Sequence, residues 1–118
     1  MKTKRIKVFE SLIEANLFLP EGKVLGLQEE GKKICLVRFQ QAIYAVPDKC
    51  PHEGYPLSKG NCTKEGDLVC PWHKYSFNIK YGNRTNGQGY YLKPLKVEET
   101  DSGIFVEWPL GWMEAIFS

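Results

Sequence analysis

Short runs of β-branched and aromatic residues recur along the chain: IKVF, KVLGLQ, KKICLVRF, AIYAV, DLVC, YSFNI, PLKVEE and IFVEW. Residues of these types fit a pleated, half-buried surface, and side chains on a strand alternate between faces, so each run predicts a strand. Glycine, asparagine, aspartate and proline separate the runs. EEGKK and ETDSGI carry glycine where a tight hairpin turn takes positive φ; QQ, between VRF and AIYAV, has the right loop length but weaker turn chemistry. In KKICLVRF, Cys35 alternates with Val37 and Phe39 as a small core residue if Arg38 faces solvent. Only SLIEANLF reads as helix, with Ser11 as its N-cap. Strands this short and closely spaced predict an all-β, antiparallel sandwich or barrel rather than βαβ units.

Length and charge narrow this picture without naming a function. The 118 residues suit one domain, residues 1–118, with its core over 5–108 and an apolar tail, PLGWMEAIFS, over 109–118. A formal charge of +2 gives no electrostatic reason to bind nucleic acid. No stretch reaches the roughly 18 apolar residues of a membrane span, and MKTKRIKVFE lacks the apolar run of a signal peptide. The expectation is a cytoplasmic protein with no nucleic-acid or membrane partner. Lys2, Lys4, Arg5 and Lys7 read as a frayed, solvated leader entering the first strand, with a docking patch for an acidic partner as the alternative. Trp112, Met113, Ile116 and Phe117 are expected to fold back over the sheet; docking a partner or self-association is the alternative.

The chain's 2 histidines both follow cysteines closely: Cys50-x-His52, and then Cys70-x-x-His73. Without a signal peptide, this pairing favours metal binding over disulfides. Cys35 and Cys62 remain over, Cys62 in the polar loop GNCTKEG as a free thiol, with a Cys35–Cys62 bridge as a minor alternative. Both Cys/His pairs fall in loops flanked by predicted strands, so a rigid β base can present them to one centre. Two thiolates and two imidazoles suit one tetrahedral zinc. They equally suit a 2Fe–2S cluster with cysteines on one iron and histidines on the other. Zinc fingers usually keep like ligands together, whereas here each loop supplies one of each, as a two-iron cluster requires.

CPHEGYPL and CPWHKYSFNIKYG resemble the two loops of Rieske 2Fe–2S proteins, with Gly54 and Leu57 matching the first loop and Pro71, Trp72, Phe77 and Gly82 the second. The likeness continues more weakly through NGQGYYLKPLKVEE, where the family carries a covering loop. It implies a Rieske-type fold whose cluster-binding subdomain is formed by the two Cys/His loops. It also implies one 2Fe–2S cluster, with Cys50 and Cys70 on the inner iron and His52 and His73 on the outer. Lys74 stands where the family usually has glycine, and NGQGYY has no proline before Pro94.

High-potential members join their loops by a disulfide, whose positions correspond here to Tyr55 and Trp72. They also place hydroxyls two and four residues after the second ligand histidine, where this chain has Tyr75 and Phe77. Missing donors to the sulfurs imply a low potential, about −150 mV. The resemblance thus implies a soluble electron carrier between a reductase and an oxygenase or similar terminal enzyme. It does not imply an oxygenase, because both histidines are already committed to the cluster. A small subunit or redox-sensing module of a larger complex is the second reading, and a zinc-binding structural module the third.

Overall fold

The computed structural model describes residues 2–110. Among the described residues, nine strands form 3 antiparallel sheets of 3 strands each. The first sheet contains β1 (Thr3–Phe9), β9 (Gly103–Pro109) and β8 (Lys96–Thr100), in the order β1-β9-β8. The second is the meander β2 (Val24–Glu29), β3 (Lys32–Phe39), β4 (Ala42–Pro47). The third, built from β5 (Asn61–Cys62), β6 (Asp67–Val69) and β7 (Ser76–Asn78), carries the second Cys/His loop between its last two strands. Eight of the strands fall on the predicted runs; β5 was not anticipated, since two residues in a polar loop carry no alternation.

The helix α1 spans Leu12–Phe18, and the Ser11 hydroxyl accepts the Glu14 amide at 3.1 Å, as an N-cap should. It packs Ala15 and Leu19 onto the first core. Its outer face leaves Ile13, Leu17 and Phe18 exposed.

β3 separates two apolar cores. Ile34 and Leu36 join Ile6, Ile43, Ile104 and Val106 between the first and second sheets. Cys35, Val37 and Phe39 face the other way, onto Leu57, Leu68, Phe77 and Ile79 beneath the two Cys/His loops. Each fully buried aliphatic side chain of this size contributes about 1.5–3 kcal/mol. Having apolar residues on both faces, β3 supports the base and the loop end at once.

Arg38 departs from the expected alternation. It is buried rather than solvent-facing: its guanidinium donates to Leu19 O at 3.0 Å, Gln41 O at 3.1 Å and Asn16 Oδ1 at 2.9 Å. The weak QQ turn also has an unforeseen support. Gln40 and Gln41 both take positive φ, 51° and 69°, and their amides donate to the Glu21 carboxylate at 2.7 and 2.8 Å.

The basic N-terminus is no frayed leader. Lys4, Arg5 and Lys7 lie in a strand paired to β9 and bond Glu30, Glu98 and Glu10 within the chain. All 4 cysteines are free, so no Cys35–Cys62 bridge forms. Of the apolar tail, only Pro109 and Leu110 are among the described residues; the expectations placed on Trp112, Met113, Ile116 and Phe117 lie outside them.

Candidate metal centre

The first loop leaves β4 at Pro47 and ends in a short 3₁₀ turn, Leu57–Lys59. Asp48 closes it, accepting the Ser58 amide at 2.7 Å and the Ser58 hydroxyl at 2.6 Å. The second loop runs from β6 to β7. The two loops share one closing bond: the Cys50 amide donates to Tyr55 O and the Cys70 amide to Tyr75 O, both at 2.8 Å. Each cysteine is thus fixed at the foot of its loop. The loops meet at Gly60, where a Cβ would overlap the Val69 carbonyl oxygen.

All four candidate residues gather at this end of the molecule, sorted by type. Cys50 and Cys70 are both buried and belong to the same apolar cluster. Burial pushes the Cys70 thiol up to about 11, and Cys50 adds to the rise, while a hydrogen bond from the Trp72 backbone opposes it. A buried thiol resists ionising alone, so it wants a cation. The two imidazoles lie farther out, with ring centroids 5.4 Å apart. His73 is exposed, and His52 keeps 16% of its side chain in solvent.

The fit to a two-iron group rests on His52. Its Nδ1 is buried with no hydrogen-bond partner among the described residues, a costly state for a polar atom unless something occupies the space it faces. Its Nε2 points the other way, 3.9 Å from Glu53 Oε1. Among the described residues no three His, Cys, Asp or Glu side chains converge as a single ion would require. A thiol pair and a separate imidazole pair suit two irons better than one zinc.

Aromatic rings tie the site together. Tyr55 and Trp72, at the positions where a disulfide is absent, stack at 5.9 Å with planes 16° apart. The Trp72 indole N–H also donates to Glu53 Oε2 at 2.7 Å, linking second loop to first. Phe77 is wholly buried below the loops and offers no hydroxyl. Lys74 adopts φ 59° and the preceding His73 67°, so the position where glycine was expected does require the left-handed region.

Asn86, in the covering loop, supports that strained segment: its Nδ2 donates to Lys74 O at 2.7 Å and its Oδ1 accepts the Ser76 amide at 3.1 Å. Sequence reasoning missed Asp48, Glu53 and Asn86. Glu53, inside CPHEG, and Asn86, at the head of NGQGYY, lay within motifs that could have flagged them, whereas Asp48 did not.

The chain matches the Rieske 2Fe–2S domain family over residues 12–90 and belongs to it. A Rieske-type 2Fe–2S cluster is the cofactor of that domain. The chain is 32% identical over 68 residues to the ferredoxin component of the alkene monooxygenase system of Xanthobacter autotrophicus, a match covering 56% of each chain. It therefore spans little more than half of that relative. It is 33% identical over 84 residues to the ferredoxin component of a naphthalene 1,2-dioxygenase system from Pseudomonas aeruginosa, covering 68% of this chain and 79% of that one. The fold superposes on the ferredoxin of carbazole 1,9a-dioxygenase from Nocardioides aromaticivorans with a TM-score of 0.70 at 20% identity, over 90% of this chain and 97% of the other.

Proposed function

We propose that this protein is a one-electron carrier in which Cys50 and Cys70 hold the inner iron of the cluster and His52 and His73 the outer. The observation that carries the reading is the buried, unpartnered Nδ1 of His52, beside a second imidazole and with two neighbouring buried thiols at the foot of the same loops. When bound, such a cluster takes up and releases a single electron. The thiols give up their protons on loading and stay out of water. The imidazoles remain at the rim, so their outer edges are the exit for the electron. The chain turns over no substrate itself.

The donor is a reductase and the acceptor an oxygenase or similar terminal enzyme, an assignment supported by the names of the two ferredoxin relatives. Lys49, Lys74 and Lys93 are exposed around the rim, and Lys49 and Lys93 flank a cleft shared by His52 and Tyr91. A basic rim suits an acidic partner face and gives an association rate that falls with salt. The potential is low in the Rieske range, about −150 mV, because Phe77 cannot donate and no disulfide joins the loops. The compartment is cytoplasmic; among the described residues no helix is long and apolar enough to cross a membrane.

The test is to purify the full chain without oxygen, count iron and zinc, and titrate the cluster while following its reduced EPR signal. Two irons per chain, nitrogen coupling from two histidines and a midpoint well below zero are expected. One zinc and no colour would overturn the ligand assignment. A midpoint well above zero would overturn the low potential alone.

A further inference from the structure

The outer face of His52 is covered by a stack that the ligand motif does not contain. The Tyr75 ring lies on the His52 imidazole, with centroids 4.3 Å apart and planes 23° from parallel. The Arg84 guanidinium lies 3.6 Å from the centroid of the Tyr75 ring. Arg84 is itself anchored: Nε donates to Asn86 Oδ1 at 3.2 Å and Nη1 to the Gln88 carbonyl at 3.0 Å. Tyr90 meets His52 edge-on at 5.1 Å. Arg84, held by Asn86 and Gln88 of the covering loop, thus reaches the imidazole through Tyr75, while Tyr90 of the same loop meets it directly.

We propose that Arg84 is a positioning residue of the centre, clamping Tyr75 onto His52 so that the covering loop fixes the plane of this imidazole. The inference rests on His52 being a ligand of the outer iron. A guanidinium over an aromatic face is attracted to the ring's quadrupole, and Arg suits this better than Lys because its planar group also keeps its two anchoring bonds. The ring beneath is held between a cation and an imidazole, which leaves it little freedom to tilt. The same cation lies two ring spacings from the imidazole. In partly screened surroundings at that range it favours the more negative, reduced cluster about threefold.

The experiment uses the iron-loaded full chain and reads two quantities, the midpoint potential and the histidine nitrogen couplings by pulsed EPR. Arg84→Gln is expected to shift the reduction equilibrium about threefold toward the oxidised form, which is about 28 mV at 59 mV per tenfold for one electron. It should also change one of the two nitrogen couplings and leave the other. Arg84→Lys should restore most of the potential but not the coupling. In a Tyr75→Leu background, Arg84→Gln should no longer alter the coupling.

A normal potential and unchanged couplings in Arg84→Gln would overturn the clamp, as would a coupling change that persists without Tyr75. Should Arg84→Gln fail to retain iron, Arg84→Lys decides, its coupling changed for the clamp or unchanged against it. A wild-type chain without two irons or without nitrogen couplings would instead sink the ligand assignment itself.

Discussion

The two Cys/His loops close with the same backbone bond but differ in what holds them. The first is braced from within its own segment: Asp48, two residues before Cys50, grips Ser58 by amide and hydroxyl, and Gly54 takes the one positive φ, 77°. The second places two non-glycine residues, His73 and Lys74, in the left-handed region and borrows its support from Asn86 in the covering loop. Local closure makes the first loop part of the β base. Borrowed closure ties the second to a segment exposed from Asn86 to Tyr91. In the carrier proposed above, which would meet two partners in turn, the less self-sufficient loop holds the more exposed imidazole.

Removing the space the loops share is expected to have the largest effect. Gly60→Ala drives a Cβ into the Val69 carbonyl, and backbone on both sides leaves nothing soft to yield. A loss of about 3 kcal/mol is expected in urea unfolding. Wild-type stability would show that the two loops can separate at this point.

Asp48→Ala comes next. It strands the Ser58 amide, and a lost bond to a charged acceptor costs about 1.5–3 kcal/mol. Asn86→Ala, at a more exposed site, should cost about 1 kcal/mol. The two are best told apart by hydrogen exchange. Asp48→Ala should lower protection across the second sheet as well as the loop, whereas Asn86→Ala should lower it only over residues 70–90. Equal patterns would erase the distinction between local and borrowed closure.

How much of this could be read from the chain follows the same division. The four candidate ligands and the β2–β3–β4 meander were legible because spacing and alternation are local. Ser11 announced its helix for the same reason. Arg38 misled because two of its three acceptors, Leu19 O and Asn16 Oδ1, come from a segment some twenty residues away. The glycine-free turn at Gln40 and Gln41 depends on Glu21, about as distant. The Arg84–Tyr75–His52 stack joins three segments, and no spacing rule links them. β5 is simply too short to show a period.

Lys74→Gly is expected to have a smaller effect, and of opposite sign. A non-glycine residue in the left-handed region costs about 1–2 kcal/mol, and the entropy glycine gains in the unfolded chain offsets part of that. The net gain should stay under about 1 kcal/mol, a rise of a few degrees in Tm. Lys74→Glu should leave Tm near its original value but slow electron transfer to an acidic partner, and the slowing should fade with added salt. If glycine and glutamate slow transfer equally, the loop's conformation matters there and the charge does not.

The smallest effect at neutral pH separates base from loop through their thiols. Burial, then Asp48 and Cys62, pushes the Cys35 thiol well above its ordinary 9.0, while Cys70 rises to about 11. Both are protonated in the folded chain, and in the unfolded chain they ionise near the ordinary value. Their stabilising share is therefore complete below pH 9 and drains away as pH climbs through the folded values. On the ligand assignment proposed here, iron loading takes up the Cys70 thiolate, which leaves Cys35 as the fully buried thiol still free to titrate. The metal-free chain should accordingly lose Tm more steeply above pH 9 than the loaded one. Cys35→Val, which keeps the core apolar, should flatten the loaded profile to the share left by the half-buried Cys62, and leave the metal-free profile with the slope due to Cys70 and Cys62. Identical slopes for loaded and metal-free protein would mean that Cys70 is not engaged by the cluster.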